Sequence, residues 1–305
     1  MRYIAVFNRD GGTLRSMDLD LFCAEARAVF ERHGHDLDCK VVAGAAIEDA
    51  LRQAAADKTT DAILAGGGDG TISSAAGIAF ETGTPLAVLP AGTMNLFARA
   101  LKVPLELSEA LEAIAAGTIG TADIATANGR PFVHQFGVGI HARLVRIREN
   151  MTYRGRLGKM LASLRAIGAG AINPPQFDVE LHTRKGVHRQ RVSGVAISNN
   201  PLADRQIHAD ELNAGLLGVY LAAPISTWGL LRLAASILLG SWRDNPLVSE
   251  AEVEAVTLTF PKRKRTAQAV VDGELRKLER TVVLQLHANG LRVIHPSQRT
   301  SETPN

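Results

Sequence analysis

Cysteine is scarce. Cys23 and Cys39 are the only two in 305 residues, and neither stands in a C-x-x-C or other metal-ligand spacing. That argues against a disulfide framework and a thiolate metal centre, and makes a reducing compartment the default expectation. Charge of one sign is also scarce. Thirty-four Lys and Arg face 31 Asp and Glu, a formal net charge of +3 with a pI near 9.0. This mild surplus is not the dense positive field of a nucleic-acid binder, and no nucleic-acid partner is expected. The opening "MRYIAVFNRD" has too short an apolar stretch for a signal peptide and reads as a first strand. There is no aligned repeat, and only the tail "PSQRTSETPN" (296–305) has a disordered composition.

Long apolar runs are nearly absent. Residues 218–242 carry a single charge, Arg232, but Pro224 divides the run. Beyond it, Trp228, Leu231, Ala235, Leu238 and Trp242 share one helical face, and Arg232, Ser236, Gly240 and Arg243 share another. A helix packed on a core or touching a membrane surface is expected there, not a span. Familiar catalytic signatures are missing as well. The nine histidines include no H-E-x-x-H, and there is no G-x-S-x-G elbow. The only Gly-Lys, Gly158-Lys159, precedes Met160, so there is no Walker loop. A Rossmann fingerprint fails because Thr71 or Ser73 stands where its third glycine belongs.

What is present begins with alternation. "YIAVF" (3–7), "LDCKVV" (37–42), "AILAG" (62–66) and "PLAVLP" (85–90) read as strands. Helical patterns lie between them at 18–33, 47–57 and after residue 67, and two more follow in "MNLFARAL" and "LSEALEAIAAG". Strict alternation implies a parallel sheet with helices on both faces. After about residue 122 the period changes to that of strands, in "QFDVELHT", "QRVSGVAIS", "VEAVTLTF", "AQAVVDG" and "TVVLQLHA", interrupted by basic helical stretches near 151–169 and 227–242. The expected architecture is an α/β domain over 1–122, with 292–305 ("LRVIHP" onward) a candidate to complete it. A mainly antiparallel β-sandwich or open barrel follows over 123–291.

"DAILAGGGDGTISSAAG" (61–77) places Gly66, Gly67, Gly68 and Gly70 between a strand and a helix. Glycines let backbone N–H groups close on an anion, and the helix N-terminus adds partial positive charge, so this is a phosphate cradle. Asp69 inside it would repel phosphate unless a metal ion or a hydroxyl proton intervened. The plainer reading is an ordinary strand–helix turn. Likewise Asp272-Gly273 between apolar strands is a hairpin signal, which alone would make Glu274 an exposed edge residue. "PKRKR" (261–265) is ordinarily a solvated loop, with an anionic-lipid patch as the sharper alternative.

"GGDGT" (67–71) resembles the nucleotide loop of diacylglycerol, sphingosine and NAD kinases and, more loosely, phosphofructokinases. "LPAGTMNLFARAL" (89–101) resembles the P-x-G-T-x-N-x-F-A signature of the diacylglycerol kinase catalytic domain. In the same order, "FVHQFGVGIHARL" (132–144), "VAISNN" (195–200) and "VVDGEL" (270–275) resemble further segments of that family. The resemblance runs from residue 3 to about 296 and is greatest to the bacterial lipid kinases.

The resemblance implies an ATP-dependent lipid kinase with ATP held between two domains and magnesium bridging its phosphates. Gly67, Gly68, Asp69, Gly70, Thr71, Ile72 and Ser73 would wrap the phosphates, helped by Gly92, Thr93 and Asn95 and by Asn8, Gly11 and Gly12. Glu274 matches the family's general base, and Asp69 and Asp272 would organise magnesium, waters or that base. The acceptor would be a hydroxyl of diacylglycerol, a sphingoid base, ceramide or a related lipid. A cytoplasmic enzyme visiting an anionic membrane surface is expected, with a homodimer left open. The alternatives are a NAD-kinase-like enzyme acting on a soluble hydroxyl and a non-catalytic nucleotide or lipid sensor. The sequence departs from the family at Arg9, Ala43, Ser73-Ser74 and Ala214. The last replaces the aspartate that helps hold a structural magnesium in related kinases, and carbonyls near Glu211 and Leu216 alone would bind it poorly.

Overall fold

The computed structural model describes residues 1–149, 173–184, 186–206 and 208–297. The basic stretch 151–169 and residues 298–305 of the tail lie outside the described residues. Two compact units are present: Met1–Ala122 with Asn289–Asn305, and Asp123–Ala288.

The first unit is α/β. Its strands β1 (Arg2–Asn8), β2 (Asp36–Val42), β3 (Ala62–Gly67) and β4 (Leu86–Pro90) run parallel in the order β2-β1-β3-β4. Strands β3 and β4 are buried throughout, which is why they read as continuous apolar runs and not as alternation. The crossover from β1 runs one way along the sheet and the next runs back. Right-handed connections therefore put the intervening helices on opposite faces. Helix α1 (Leu19–Arg32) packs with α5 (Leu107–Ala115), while α2 (Ile47–Ala56) packs with α3 (Asp69–Thr82). Asp18 starts α1 by accepting from the amides of Asp20 and Leu21, both at 3.1 Å.

The second unit is a sandwich of two antiparallel sheets. One has the order β12-β11-β10-β7-β14-β15: β7 (Gln135–Gly139), β10 (Gly194–Asn199), β11 (Leu217–Ala222), β12 (Val248–Val253), β14 (Gln268–Val271) and β15 (Glu274–Lys277). The other contains β8 (Phe177–Thr183), β9 (Gly186–Val192), β13 (Ala255–Thr259) and the first part of β16 (Thr281–His295), with β5 (Thr118–Ala127) and β6 (Arg130–Phe132) beside it. Alternate residues of both fill one core, including Phe136, Ile197 and Val219 from the first and Val179, Leu258 and Leu284 from the second. Helix α6 (Ile140–Glu149) follows β7, and helix α7 (Thr227–Leu238) follows β11. The expected α/β unit followed by an antiparallel sandwich is therefore the observed fold class.

Several local readings need correction. "QRVSGVAIS" is two strands in different sheets, broken at buried Ser193, whose Oγ accepts from the Ile225 amide at 2.9 Å. "VEAVTLTF" is likewise split at Glu254, since β12 and β13 lie in different sheets. "TVVLQLHA" and "LRVIHP" are one strand, β16, running through Asn289 at φ 54°. Helix α7 ends at Leu238, so Trp242 lies beyond it, and the apolar face through Trp228 and Leu238 is the exposed one. Trp228 is 80% exposed and Leu238 76%, while Leu230 and Leu233 are buried with Ile225 and Ile140. Finally, Cys23 and Cys39 are neighbours across α1 and β2, with Cys39 Sγ 4.0 Å from the Cys23 carbonyl oxygen. The hydrogen bond between their thiols, with burial, pushes Cys39 up, and the same bond pulls Cys23 down.

Candidate functional site

Three turns of the first unit meet at the C-terminal ends of the adjacent strands β1, β3 and β4, where open parallel sheets bind ligands. In the turn after β1, Asn8 Oδ1 accepts from the Asp10 amide at 3.0 Å. Asn8 Nδ2 donates to Thr71 Oγ1 of α3 at 3.1 Å. Gly11 donates its amide to the Asn8 carbonyl at 3.0 Å. Gly12 adopts φ +30°, and a Cβ there would lie 2.0 Å from the Ala91 carbonyl oxygen, so only glycine passes. Asp10, which the sequence did not single out, accepts from the Gly44 amide at 2.8 Å and fixes the loop after β2 beside Ala43.

The second turn is "GGDGT". A Cβ on Gly67 would lie 2.6 Å from the Thr71 side chain. Gly68 is the N-cap of α3 and brings no side-chain oxygen, so the cap position itself gives the first-turn amides no side-chain acceptor. Gly70 is exposed with open space at its Cα, and Ser73 is half-buried. Thr71 and Ile72 are buried, and the Ile72 amide donates to the Gly68 carbonyl at 3.1 Å within the helix. The Ile72 side chain belongs to the core.

Asp69 reaches the third turn. Its Oδ2 accepts from the Asn95 amide at 3.2 Å and its Oδ1 from the Leu96 amide at 2.7 Å. It thereby caps helix α4 (Leu96–Ala100) across a gap of 26 residues in sequence. Asn95 is left-handed at φ 51°, and its Oδ1 accepts from the Gly92 amide at 2.8 Å. A Cβ on Gly92 would lie 2.6 Å from the Gly68 Cα, so the two turns touch backbone to backbone. Thr93 is exposed at the turn's tip. One arrangement therefore brings together Asn8, Gly11, Gly12, residues 67–73, Gly92, Thr93 and Asn95.

The second unit holds the other two acids. Asp272 and Gly273 form the two-residue β14–β15 hairpin at φ 46° and 85°, which is the turn the dipeptide favours. The Asp272 carboxylate accepts from three amides: Val133 at 2.9 Å, His134 at 2.9 Å and Gln135 at 3.0 Å. It fastens the hairpin to the start of β7. Glu274 begins β15, keeps 53% of its side chain exposed, and pairs with Arg276 at 2.5 Å. Asp272 is thus engaged in backbone ties, whereas Glu274 presents its carboxylate to solvent.

The segment around Ala214 is closed by protein groups that the sequence reading also missed. Fully buried Asp123 accepts from the Gly215 amide at 2.7 Å and donates its own amide to the Leu212 carbonyl at 2.6 Å. Asn200 Oδ1 accepts from the Ala214 amide at 3.0 Å. Magnesium asks for about six oxygen donors in octahedral array. Here one carboxylate and one carbonyl are already engaged with N–H groups, and Ala214 brings no ligand. The set does not fit a resident structural magnesium.

Residues 2–127 match the family described as the diacylglycerol kinase catalytic domain. The match takes in the β1, β3 and β4 turns and runs into β5. The chain is 23% identical over 291 residues to the diacylglycerol kinase of Bacillus subtilis, covering 92% of each protein. It is 27% identical over 223 residues to an uncharacterized protein of Synechocystis, covering 70% of this chain but half the length of that one. A crystal structure of a diacylglycerol kinase from Bacillus anthracis shares the fold with a TM-score of 0.68, at 16% identity and over 96% of each chain. Among the described residues, no helix is long and apolar enough to cross a membrane.

Proposed function

We propose that the protein is an ATP-dependent lipid kinase that moves the γ-phosphoryl group of ATP to a lipid hydroxyl. The observation that carries this reading is the joining of the "GGDGT" and "PAGTMN" turns by the Asp69 carboxylate, beside a helix whose N-cap is a glycine. Phosphoryl transfer depends on positioning and electrostatics more than on covalent chemistry from the protein. Backbone amides of residues 67–71, with the Thr71 and Thr93 hydroxyls, hold phosphate oxygens. Asn8, Gly11 and Gly12 shape the adjoining wall. Asp69 and Asp272 set backbone geometry. Magnesium arriving with the nucleotide would supply neutralisation of the phosphate charge. Glu274 accepts the proton of the acceptor hydroxyl as the bond to phosphorus forms, and ADP leaves. Arg276 at 2.5 Å orients that carboxylate. The exposed apolar face of α7 lies against the membrane that holds the acceptor, with Arg232 beside it for anionic headgroups.

The test is transfer from labelled ATP to individual lipids in mixed micelles. Wild type is expected to label a diacylglycerol, sphingoid base or ceramide. Glu274→Gln is expected to keep ATP binding and to lose about 10²-fold or more in kcat. Equal turnover by the two proteins would remove Glu274 as base. Transfer to NAD and to no lipid would replace the lipid reading with a soluble acceptor.

A further inference from the structure

A second concavity is lined, among the described residues, by the sandwich unit alone. It has a volume of about 750 Å³ and opens between α6, the start of β8 and the loop 260–268. Its floor is the end of the sandwich core, where Val138, Phe177, Phe260 and Leu278 meet. Phe177 and Phe260 pack with ring centroids 6.0 Å apart. Around this apolar floor stand Arg143, Arg146, Arg191, Lys262, Arg263 and Lys264. Among the described lining residues Asp178 is the only acid, and it lies 3.9 Å from Lys262. Half of these cations come from the "PKRKR" run, which the kinase reading leaves without a role.

Three of the guanidinium groups are held by neutral oxygens, Arg143 through Nη1 to the Asn173 carbonyl at 2.6 Å. Arg146 Nε donates to Gln268 Oε1 at 2.6 Å, and Arg263 Nη1 donates to the Leu278 carbonyl at 2.8 Å. These bonds place positive charge without neutralising it. Six cations gathered over an apolar floor raise the local concentration of an anion, and guanidinium forks suit phosphate oxygens. The floor suits hydrocarbon, and the volume is that of a pocket which buries a small amphiphile. Gln268 pairs with Lys277 and Val271 with Glu274, so Glu274 stands about 10 Å along the hairpin from this cavity.

We propose that this cavity is a binding site for one anionic phospholipid, its phosphate among Arg146, Arg191, Arg263 and Lys264 and the start of an acyl chain on Phe177, Phe260 and Leu278. The site is separate from the phosphoryl acceptor and does not rest on the kinase reading. It gives the protein a means of sensing lipid charge independently of the neutral hydroxyl it would phosphorylate.

The probe is a water-soluble short-chain phosphatidylglycerol, titrated calorimetrically without ATP. Phosphatidylcholine of the same chain length, glycerol 3-phosphate and inorganic phosphate are the comparison ligands. The measurement is repeated on Glu274→Gln, so that loss of catalysis leaves it intact. Saturable binding of phosphatidylglycerol is expected, with phosphatidylcholine and inorganic phosphate each at least about tenfold weaker. The triple variant Arg146→Glu/Arg191→Glu/Lys264→Glu changes exposed side chains only, and should weaken binding by at least about tenfold. Thr266→Trp, on the exposed rim, keeps every charge and fills the opening. It should weaken the lipid and leave inorganic phosphate unchanged. Equal binding of phosphatidylcholine, equal binding of inorganic phosphate, or indifference to both cavity variants would each overturn the proposal.

Discussion

Asp69 resolves a puzzle at the scale of single residues. A carboxylate in an anion cradle looks misplaced, yet both its oxygens are spent on the amides of Asn95 and Leu96. The negative charge faces the start of a neighbouring helix, and the cradle amides remain directed elsewhere. Asp69→Asn keeps the shape but replaces one acceptor with a donor that faces an N–H. A hydrogen bond to a charged group contributes about 1.5–3 kcal/mol, and these are part-buried, so a loss of about 1–2 kcal/mol is expected in urea unfolding of the first unit. ATP affinity should fall with it. Full stability with lost ATP binding would instead point to direct contact with the nucleotide. At this scale the glycines were legible, because positive φ and close backbone approach leave few other choices. The partners of Asp69, Asp10 and Asp123 were not. Each bonds to amides distant in sequence, and no local pattern encodes that.

Elements are held by ties of a different strength. The C-terminal end of α1 meets α5 at Glu112, which pairs with Arg32 and with His33 Nε2 at 2.9 Å. The His33 hydrogen bond, helped by the Arg32 hydrogen bond and charge, holds the Glu112 carboxyl below its usual range, and burial opposes them. A lowered carboxyl pKa adds stability above the unfolded value, and that stability disappears as pH falls through the folded value. The site is about a third exposed, so the tie contributes less than about 1 kcal/mol. Glu112→Gln should therefore be slightly less stable than wild type at pH 7. The gap should close as the pH drops below about 4, and salt should narrow it. Helix α7 marks the limit of periodicity at this scale. It is apolar on more than one side, so hydropathy could not say which side packs. Leu230 and Leu233 settle against Ile140 and Ile225, leaving Trp228, Leu238 and Leu239 outside. Those three exposed side chains should dominate binding to anionic vesicles. Trp228→Ser/Leu238→Ser/Leu239→Ser should reduce co-sedimentation at least about tenfold without lowering thermal stability, since surface changes stay within about 0.5 kcal/mol. Unchanged sedimentation would remove α7 as the membrane contact.

On the scale of the whole molecule, the chain leaves the first unit at residue 122 and re-enters it at 289. Alternation in "TVVLQLHA" and "LRVIHP" was readable, but only as separate segments in different domains. Asn289 between them takes the left-handed conformation, yet the strand continues past it. What holds it straight is tertiary. Thr121 Oγ1 donates to Asn289 Oδ1 at 2.8 Å, Val293 pairs with Leu86 of β4, and the Ser297 amide donates to the Ala113 carbonyl at 2.9 Å. Leu291, Val293 and Ile294 are buried to 1% exposure or less. At about 1.5–3 kcal/mol for each buried side chain, this segment supplies several kcal/mol, a large share of the roughly 5–15 kcal/mol by which a domain is stable. A fragment of residues 1–122 should therefore lack a cooperative thermal transition and bind ATP poorly, although it contains every glycine turn. Joining residues 288–297 to its C-terminus through a flexible linker should restore both. Leu291→Ala with Val293→Ala should abolish the restoration. If residues 1–122 alone unfold cooperatively and bind ATP as the full chain does, the returning strand is an accessory to the first unit and not part of its core.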